Sequence, residues 1–502
     1  MNLNRSCTEL HPPTSQSCPG AGGRLKSAIL CVDLDGTLLK TDTLHECLLK
    51  VLKTRPFALL KLPLWLTDGR ANVKQALAKL SVGIDLAACP RNPEVEALIA
   101  EAKAGGKKVE LVTAAHHALV ADDPAFYEMF DAIIGSSEHV NLKAEVKADF
   151  LRKRYPDGFA YVGNSAADLP VWRVAAERFA VNIPQSVRRR ASSEGLGLIE
   201  LASSNRVIPA LLKSLRLHQW LKNLLVFVPL ALILTRAGPS LVLSFLAAFL
   251  LLGLLASGTY LLNDIMDVEA DRQHPRKRLR PIASGDLPLP VAASVSLVLI
   301  ASALGGAVLL NPVFALTLLS YLILTLAYSL FLKRLSLVDV LVIASLFTLR
   351  IVAGMTLVGA PPSEWLLMFA IFFFLSLALM KRAVELDVVD QIGVKALRGR
   401  GYATEDRSFV VTFGIASGVA SLVILALFVS AMIAGPSDSY ATPQFLWGIM
   451  PALSYWIMRM WLTTTRGLMN DDPILYAARE RASLILAGVV GAFAIAAQLV
   501  HL

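Results

Sequence analysis

The chain is poor in cysteine, and its few cysteines are confined to the first part of the sequence. All five among the 502 residues precede residue 90, at spacings that match no zinc site and no disulfide framework. This pattern favours a reduced, cytosolic compartment for that part of the chain. The first 26 residues also lack an apolar core and are rich in Pro, Ser and Gly. We therefore expect residues 1–25 to form a disordered tail and not a signal peptide.

Charged residues are scarce after about residue 205, where long apolar runs dominate. Apolar residues make up 55% of the whole chain and the mean hydropathy is +0.57, which is too apolar for a soluble protein of this length. A net charge of +9 is compatible with nucleic-acid binding, but no stripe of alternating aromatic and basic residues accompanies it. Because the basic residues lie between the apolar runs, we expect a membrane protein and no nucleic-acid partner.

Nine apolar segments follow residue 215, several of them close to the ~20 residues that cross a bilayer. We predict nine membrane spans at residues 219–235, 240–262, 289–310, 313–332, 337–358, 365–381, 409–434, 444–462 and 483–501. The loops alternate in charge, because one set is rich in Lys and Arg while the other contains only Arg236. We therefore expect a multi-pass protein of the inner (cytoplasmic) membrane, with the basic loops and the N-terminal domain in the cytoplasm.

An acidic cluster follows directly on the apolar run from Ser240 to Leu262. Asp264, Asp267 and Asp271 are spaced by three and four residues, so a helix would project all three carboxylates from one face. Acids at the end of a membrane span are costly unless a cation neutralises them, and oxygen ligands of this kind suit Mg²⁺. We predict a magnesium site here, beside a basic run that binds phosphate. The predicted substrate ligands in this stretch are Asn263, Lys277, Arg278 and Arg280.

Further polar side chains are predicted on the cytoplasmic side of the same spans. Arg350 lies inside an apolar run, where a charge costs roughly 2.5 kcal/mol or more, so it either serves function or pairs with Asp339 or backbone carbonyl groups. The Lys381-Arg382 pair either binds phosphate or only sets the topology. With the acidic cluster, these side chains predict a pocket at the inner leaflet in which Mg²⁺ and cations hold a diphosphate leaving group. The predicted substrate-binding residues outside the acidic loop are Lys222, Asn223, Tyr328, Lys333, Arg350, Lys381 and Arg382.

The pattern Asn263-Asp264-x-x-Asp267-x-x-x-Asp271 on nine predicted spans resembles the UbiA superfamily of intramembrane prenyltransferases over about residues 206–502. Within it, the chain is most similar to the decaprenyl-phosphate phosphoribosyltransferases in five stretches. These are Arg216-x-x-Gln219-Trp220-x-Lys222-Asn223, Asp267-x-Glu269-x-Asp271-Arg272-x-His274-Pro275-x-Lys277-Arg278-x-Arg280-Pro281-Ile282-Ala283, Tyr328-Ser329-x-x-Leu332-Lys333, Leu349-Arg350-x-x-Ala353-Gly354 and Lys381-Arg382-x-x-Glu385.

This resemblance implies a Mg²⁺-dependent transfer of phosphoribose from phosphoribosyl diphosphate to a polyprenyl phosphate, with Asp264 and Asp267 at the reacting centre. The alternative is transfer of a polyprenyl group from its diphosphate to an aromatic acceptor. Prenyltransferases of the superfamily carry a second Asp-rich motif after the sixth span. In this chain the corresponding stretch begins with Lys381-Arg382, ahead of its acids.

Polar residues also follow the apolar strand patterns of the N-terminal part. One buried strand pattern ends at Asp33 with Asp35 two residues on, another ends at Thr113, and Asp168 follows a third. Alternating strands and helices predict a parallel α/β sheet whose site lies at the carboxyl ends of the strands. Asp33 is the predicted nucleophile, and Asp35 is the predicted general acid and base.

The motif Asp33-x-Asp35-Gly36-Thr37 resembles the haloacid-dehalogenase-like (HAD) phosphohydrolases over about residues 26–185. The resemblance implies an α/β (Rossmannoid) domain with a helical cap at about residues 41–95. A linker of residues 186–205 would join this domain to the all-α, nine-span UbiA-type bundle. We expect the domain to act as a phosphatase that removes the ribose 5-phosphate from the lipid product, because tethering raises its effective concentration.

The same resemblance assigns roles within the predicted phosphatase site. Thr113 would hold the phosphoryl group, and Lys143, with Lys147 as the alternative, would neutralise it. The predicted ligands of Mg²⁺ in this domain are Asp33, Asp35 and Asp168. Asn164 stands where the family often has another acid, which weakens the predicted metal site.

Overall fold

The computed structural model divides the chain into two compact units, residues 1–205 and 206–502. The residues that it describes are 25–67, 70–81, 84–120, 124–137, 140–202, 207–359, 363–391, 393, 400–434, 440–469 and 472–500. The predicted N-terminal tail lies outside the described residues except for Leu25.

The N-terminal unit contains a six-stranded parallel sheet. Its strands are β1 (Ile29–Val32), β2 (Lys108–His116), β3 (Ala132–Ser136), β4 (Ala160–Gly163), β5 (Glu177–Ala180) and β6 (Ile199–Glu200), in the spatial order β3-β2-β1-β4-β5-β6. Its helices are α1 (Thr43–Thr54), α2 (Leu62–Thr67), α3 (Arg70–Leu80), α4 (Pro93–Ala104), α5 (Pro124–Met129), α6 (Glu145–Arg154), α7 (Leu169–Val174) and α8 (Gln185–Ser193). This alternation confirms the predicted α/β, HAD-like fold.

The strand β1 explains why the sheet forms where the sequence predicts it. Leu30 and Val32 belong to one buried cluster, while Cys31 between them belongs to another on the opposite face. Both faces of the strand are therefore covered, which requires an uninterrupted apolar run. The sheet ends with β6, so it extends into the stretch that was predicted to be a linker.

The connection from β1 to β2 carries α1, α2 and α3 in the stretch predicted as a cap. A 3₁₀ helix at Pro56–Lys61 lies between α1 and α2. Four buried residues form a small core of their own here, separate from the clusters beside the sheet. They are Cys47, Val51, Val73 and Leu77.

The second unit is helical. Its helices are α9 (Val207–Ser214), α10 (Val228–Leu232), α11 (Pro239–Met266), α12 (Val268–Arg272), α13 (Leu289–Leu310), α14 (Pro312–Leu330), α15 (Val338–Val358), α16 (Glu364–Gln391), α17 (Arg407–Ala434), α18 (Ile449–Thr465), α19 (Pro473–Ala477) and α20 (Arg481–Leu499). Seven helices among the described residues are long and apolar enough to cross a membrane: α11, α13, α14, α15, α16, α17 with the 3₁₀ turn before it, and α20. The protein is therefore a multi-pass membrane protein.

The predicted count of nine spans is not confirmed. The first predicted span, 219–235, consists of a 3₁₀ helix at Leu217–Phe227 followed by the five residues of α10. Proline at position 229 has no N–H to donate, which limits how a longer helix could continue through this point. The segment predicted at 444–462 overlaps α18 (Ile449–Thr465), whose 17 residues are fewer than the ~20 that cross a bilayer.

The 3₁₀ helix Leu217–Phe227 packs against α15 at Gly354. A Cβ added to Gly354 would collide with the backbone carbonyl oxygen of Val226. Glycine therefore permits this close approach, which fixes the segment that carries Lys222 and Asn223 against the helices of the unit.

Candidate active sites

Polar residues meet at the carboxyl ends of three neighbouring strands in the N-terminal unit. Asp33 directly follows β1, Thr113 lies in β2 and Asp168 follows β4, and all three are buried. Since β1 lies between β2 and β4 in the parallel sheet, their carboxyl ends share one edge. The structure thus places these three predicted site residues at the same edge of the sheet.

Lys147, and not Lys143, contacts this group. The Nζ of Lys147 lies 2.7 Å from Oδ1 of Asp33 and donates to the Tyr161 hydroxyl at 3.1 Å. Lys143 is exposed, so the prediction that it neutralises the phosphoryl group is corrected in favour of the alternative. The reason is that Lys147 lies on the same buried face of α6 as Leu151, whereas Lys143 precedes the helix.

Asp35 is held at the start of the cap by Thr43. Its carboxylate accepts hydrogen bonds from the Thr43 backbone N–H at 2.8 Å and from the Thr43 hydroxyl at 3.2 Å. Burial, followed by repulsion from the Asp42 carboxylate, raises the pKa of Asp35 to about 7. A fraction of Asp35 is therefore protonated at neutral pH, as a general acid requires.

Asp168 is fixed by four hydrogen bonds, one of them donated by the Ser165 hydroxyl to Oδ2 at 2.9 Å. Its Oδ2 accepts from the backbone N–H groups of Asn164 at 3.0 Å and Ser165 at 2.9 Å, and its Oδ1 accepts from the Tyr161 hydroxyl at 2.6 Å. Tyr161 also contacts Lys147, so a continuous chain of hydrogen bonds links Asp168 to Asp33. Two buried carboxylates in such a chain are the donor type that Mg²⁺ prefers, so these residues fit the predicted ion.

Asn164, which replaces a common family acid, packs directly over Gly36. A Cβ on Gly36 would collide with the Asn164 side chain, and the backbone of Gly36 has a φ of +71°. Glycine is therefore required at this turn on two grounds, its conformation and the space available.

On the prediction that this unit hydrolyses phosphate esters, we expect Lys147→Met to lower the rate of hydrolysis by about 10²- to 10³-fold, because it removes the only cation seen on Asp33 among the described residues. Lys143→Met should change the rate by less than about twofold, since exposed charges contribute little. Release of inorganic phosphate from a soluble phosphate ester measures both. Equal losses in the two variants would contradict the assignment of Lys147.

The acidic cluster of the membrane unit lies where α11 gives way to α12. Asp267 separates the two helices, and its backbone N–H bonds the Asn263 carbonyl at 2.9 Å. The Asp271 N–H bonds the Asp267 carbonyl in the same way, so helical spacing continues through the break. Asp264 and Asp271 are buried, whereas Asp267 is partly exposed.

Two arginines hold Asp264 and Asp271. Arg216 donates to both carboxylate oxygens of Asp264 at 2.6 Å. The Nη1 of Arg280 lies 3.1 Å from Asp264 and 2.7 Å from Asp271, so one nitrogen bridges the two acids. Arg216 was not among the predicted site residues, although it begins one of the stretches that carry the resemblance.

Asp267 has different partners. The Nζ of Lys333 lies 2.9 Å from its Oδ1, and the side-chain amide of Asn263 donates to its Oδ2 at 3.2 Å. Lys277 and Arg278, the other predicted phosphate ligands of this loop, are exposed. Three of the predicted substrate ligands, Asn263, Arg280 and Lys333, therefore bond directly to the acidic cluster, and two lie at the surface.

Each acid of the cluster thus has a cationic partner, and within the described residues no three carboxylate, imidazole or thiol groups are grouped as a formed metal site. The donor chemistry nevertheless fits Mg²⁺, which binds carboxylate oxygens. Asp264 and Asp271 both contact one nitrogen of Arg280, so their carboxylates lie close enough together to share a cation. Arg280 and Lys333 are both partly exposed, so their contacts with the carboxylates are open to solvent.

Asp472 is a site residue that the sequence analysis missed. Its Oδ2 lies 2.9 Å from the Nζ of Lys222 and 3.3 Å from the Nζ of Lys381. Although burial opposes it, attraction to these two lysines lowers the pKa of Asp472 to about 2. This carboxylate gathers two predicted phosphate ligands from distant parts of the chain. In the sequence, Asp472 is marked only by its position before Pro473, in a loop that otherwise stands out for its arginines.

Arg350 is buried, and each of its guanidinium nitrogens has a partner. They donate to Oδ1 of Asn223 at 3.0 Å, to the Tyr321 hydroxyl at 2.8 Å and to the Leu346 carbonyl at 2.7 Å. Of the predicted alternatives, pairing with a backbone carbonyl is therefore observed. The Nδ2 of Asn223 is buried and has no hydrogen-bond acceptor among the described residues.

Arg382 was predicted to bind phosphate, but its side chain is enclosed within the protein. The side chain is 0% exposed and pairs with Asp339, also 0% exposed, at 2.7 Å, and with Glu385 one helical turn away. Asp339 accepts a further bond from the Tyr402 hydroxyl at 2.6 Å. The prediction is corrected, because a cation enclosed in this way braces α16 against α15 and cannot reach a substrate.

Arg400, which follows α16 along the chain, contacts the same buried carboxylate, Asp339. Arg400 lies 3.5 Å from Asp339 and donates to the hydroxyl of Tyr328, another predicted ligand, at 3.4 Å. The Tyr328 hydroxyl therefore bonds to Arg400, and among the described residues it makes no hydrogen bond to the acidic cluster.

We expect Arg382→Met to lower the free energy of unfolding by about 3 kcal/mol, since buried Asp339 then keeps only Arg400, 3.5 Å away, as a cationic partner among the described residues. Thermal unfolding of the purified protein in detergent measures this loss. Arg466→Met, at an exposed position, is the matched control and should be neutral. A stable Arg382→Met protein with weakened substrate binding would restore the original prediction.

Comparisons with known proteins agree on the membrane unit. The model of the UbiA prenyltransferase family matches residues 224–478. An uncharacterized protein, y4nM, of Sinorhizobium fredii is 39% identical over 467 residues, which cover 93% of this chain and 90% of that protein. Decaprenyl-phosphate phosphoribosyltransferase of Mycobacterium tuberculosis is 34% identical over 286 residues, which cover 56% of this chain and 91% of that enzyme.

A solved structure gives a weaker likeness. The UbiA homolog from Archaeoglobus fulgidus bound to GPP and Mg²⁺ is matched over its whole length and covers 58% of this chain, with 17% sequence identity and a TM-score of 0.45.

Proposed function

Because the chain belongs to the UbiA prenyltransferase family, we propose that its membrane unit transfers phosphoribose from phosphoribosyl diphosphate to a polyprenyl phosphate. The observation that carries this proposal is the acidic cluster surrounded by cations from other segments of the same unit. Two phosphorylated substrates that meet in one site would repel each other without such cations. The identity to decaprenyl-phosphate phosphoribosyltransferases over this unit supports the choice of substrates.

Asp264, Asp267 and Asp271 would hold the ion in this proposal. Bound Mg²⁺ supplies electrostatic stabilisation of the negative charge that develops on the diphosphate leaving group. The carboxylates are released for this role when Arg216, Arg280 and Lys333 turn from them to the phosphates of the donor.

The cations held by Asp472 form the second part of the proposed site. The Nζ of Lys222 and the guanidinium carbon of Arg350, a cation of the same region, lie 5.7 and 5.1 Å from the centre of the Phe347 ring. The free Nδ2 of Asn223 is next to Arg350 and offers a buried donor for a phosphate or ribose oxygen. We assign the polyprenyl phosphate to these residues, because Lys222 and Lys381 provide ammonium groups close to apolar helices.

The proposed transfer forms one bond and breaks one. A phosphate oxygen of the polyprenyl phosphate attacks C1 of the ribose, and the bond from C1 to the diphosphate oxygen breaks. Its electron pair leaves with pyrophosphate, while the lipid becomes a polyprenyl-phosphoryl ribose 5-phosphate.

We further propose that the HAD-like domain removes the 5-phosphate from this lipid. Asp33 attacks the phosphorus, and Asp35 donates its proton to the departing ribose oxygen. Asp35 then takes a proton from water, which hydrolyses the aspartyl phosphate and releases inorganic phosphate. Lys147 neutralises the phosphoryl group during both steps. The arrangement requires the domain to lie in the cytoplasm, on the side of the inner membrane predicted from the basic loops.

Purified protein in nanodiscs tests the transfer when it is given ribose-labelled phosphoribosyl diphosphate and a polyprenyl phosphate. Label that enters the lipid fraction with release of pyrophosphate supports the proposal. The second candidate is prenyl transfer, which the superfamily's other branch performs. Product formed only from a polyprenyl diphosphate and an aromatic acid would favour this second candidate and contradict the first.

A further inference from the structure

An exposed apolar surface lies on the stretch between β1 and β2. Four large side chains point to solvent there, and we call them the cap patch: Leu52 (44% exposed), Phe57 (83%), Leu60 (76%) and Leu64 (65%). They come from α1, the 3₁₀ helix Pro56–Lys61 and α2, which follow one another along the chain. Contiguous exposed apolar side chains of this size mark an interaction surface.

The opposite face of the same segment is also apolar. Leu59, Leu62 and Trp65 pack against the small core around Cys47 and Val51. These inward residues already hold the segment to its own unit, so the outward residues are not needed for folding. A helical segment that is apolar on all sides is normally covered on all sides. The sequence therefore provides a second apolar face that the unit itself leaves uncovered.

The charge around the cap patch identifies its partner. From residue 47 to residue 67 the chain contains four cations and no acid; the cations are Lys50, Lys53, Arg55 and Lys61. Arg55 and Lys61 are exposed beside the patch. An apolar surface with exposed cations beside it is complementary to the interface of an anionic bilayer, where apolar side chains enter below the headgroups. A second copy is disfavoured, because a symmetric contact would bring the cations of both copies together.

We propose that the cap patch docks the HAD-like domain on the anionic lipid surface of the membrane that the chain spans. Thr43 at the start of α1 holds Asp35, so the patch and the phosphatase site belong to one continuous stretch of chain. Docking there would keep Asp33 near phosphate groups at the membrane surface. This consequence for catalysis rests on the proposed phosphatase function, whereas the docking itself does not.

Hydrogen exchange of the full-length protein in nanodiscs tests the docking. We expect the amides of residues 52–65 to exchange about tenfold or more slowly in discs that contain phosphatidylglycerol than in phosphatidylcholine discs. The triple variant Phe57→Ser, Leu60→Ser and Leu64→Ser should lose this protection. Its matched control changes three exposed apolar residues elsewhere on the unit to Ser, and should keep it. The control positions are Tyr127, Val140 and Ile199.

A second pair of measurements separates the docking from the phosphatase function. The triple variant should hydrolyse a water-soluble phosphate ester at the wild-type rate but a membrane-embedded phospho-lipid at least about tenfold more slowly. If neither substrate is hydrolysed by the wild type, the proposed phosphatase fails while hydrogen exchange still decides the docking. Exchange that is the same in both kinds of disc overturns the docking. Protection from exchange that depends on protein concentration, and not on anionic lipid, also overturns the membrane docking. It would assign the cap patch to contact with a second copy of the chain.

Discussion

Replacing Asp264 by Asn lowers the rate of pyrophosphate release by about 10³-fold or more. The effect is large because this buried carboxylate meets Arg216 and Arg280 at once and is also a proposed ligand of Mg²⁺. The amide keeps the size of the side chain but loses the charge, so both arginines lose their common partner. The measurement is the initial rate of pyrophosphate release at saturating Mg²⁺ in nanodiscs.

The control for this variant lies in the segment between α12 and α13. Asp286 is exposed, and Asp286→Asn should keep the rate within about twofold of the wild type. Asp267→Asn should resemble Asp264→Asn, although its partner is Lys333 and not an arginine. Unchanged turnover and unchanged Mg²⁺ dependence in correctly folded Asp264→Asn and Asp267→Asn proteins would refute the role of the acidic cluster.

Asp33→Asn removes the phosphatase activity, with a loss of about 10⁴-fold or more, because the amide cannot form the aspartyl phosphate. Transfer of phosphoribose should continue, since Asp33 belongs to the other unit. The lipid product then retains its 5-phosphate, and release of inorganic phosphate from it stops. Liquid chromatography of the labelled lipid follows both species over time.

The matched control is Asp149→Asn, which changes an exposed acid on α6 of the same unit. It should leave the removal of phosphate unchanged. If the 5-phosphate disappears from the Asp33→Asn lipid at the wild-type rate, another group or another enzyme performs the reaction, and the role of the HAD-like domain is refuted.

The sequence predicts which site residues come together wherever their spacing along a strand or helix alone determines it. Asp33 and Thr113 come at the ends of apolar strand runs, and parallel strands necessarily bring such ends to one edge. The spacing of Asp264 and Asp271 likewise places them within reach of one guanidinium group, because a helix repeats every 3.6 residues.

The features that could not be predicted depend on tertiary partners. Asp472 lies 250 residues from Lys222, and no local pattern indicates that they touch. Arg382 and Lys381 are neighbours, but one turns into the bundle toward Asp339 while the other reaches Asp472. Lys147 falls on the buried face of α6, whereas Lys143 precedes the helix and is exposed. The count of nine spans is not confirmed for a related reason, since hydropathy records apolar length and does not distinguish a 3₁₀ segment from a continuous helix.

Mass spectrometry of the lipid formed by the full-length protein tests the central claim most directly. Given phosphoribosyl diphosphate, a polyprenyl phosphate and Mg²⁺, the wild type should yield the lipid with one added pentose, and Asp33→Asn should yield the same lipid with one added pentose phosphate. A lipid that gains no pentose in either protein, while a polyprenyl diphosphate and an aromatic acid are joined under the same conditions, would contradict the account.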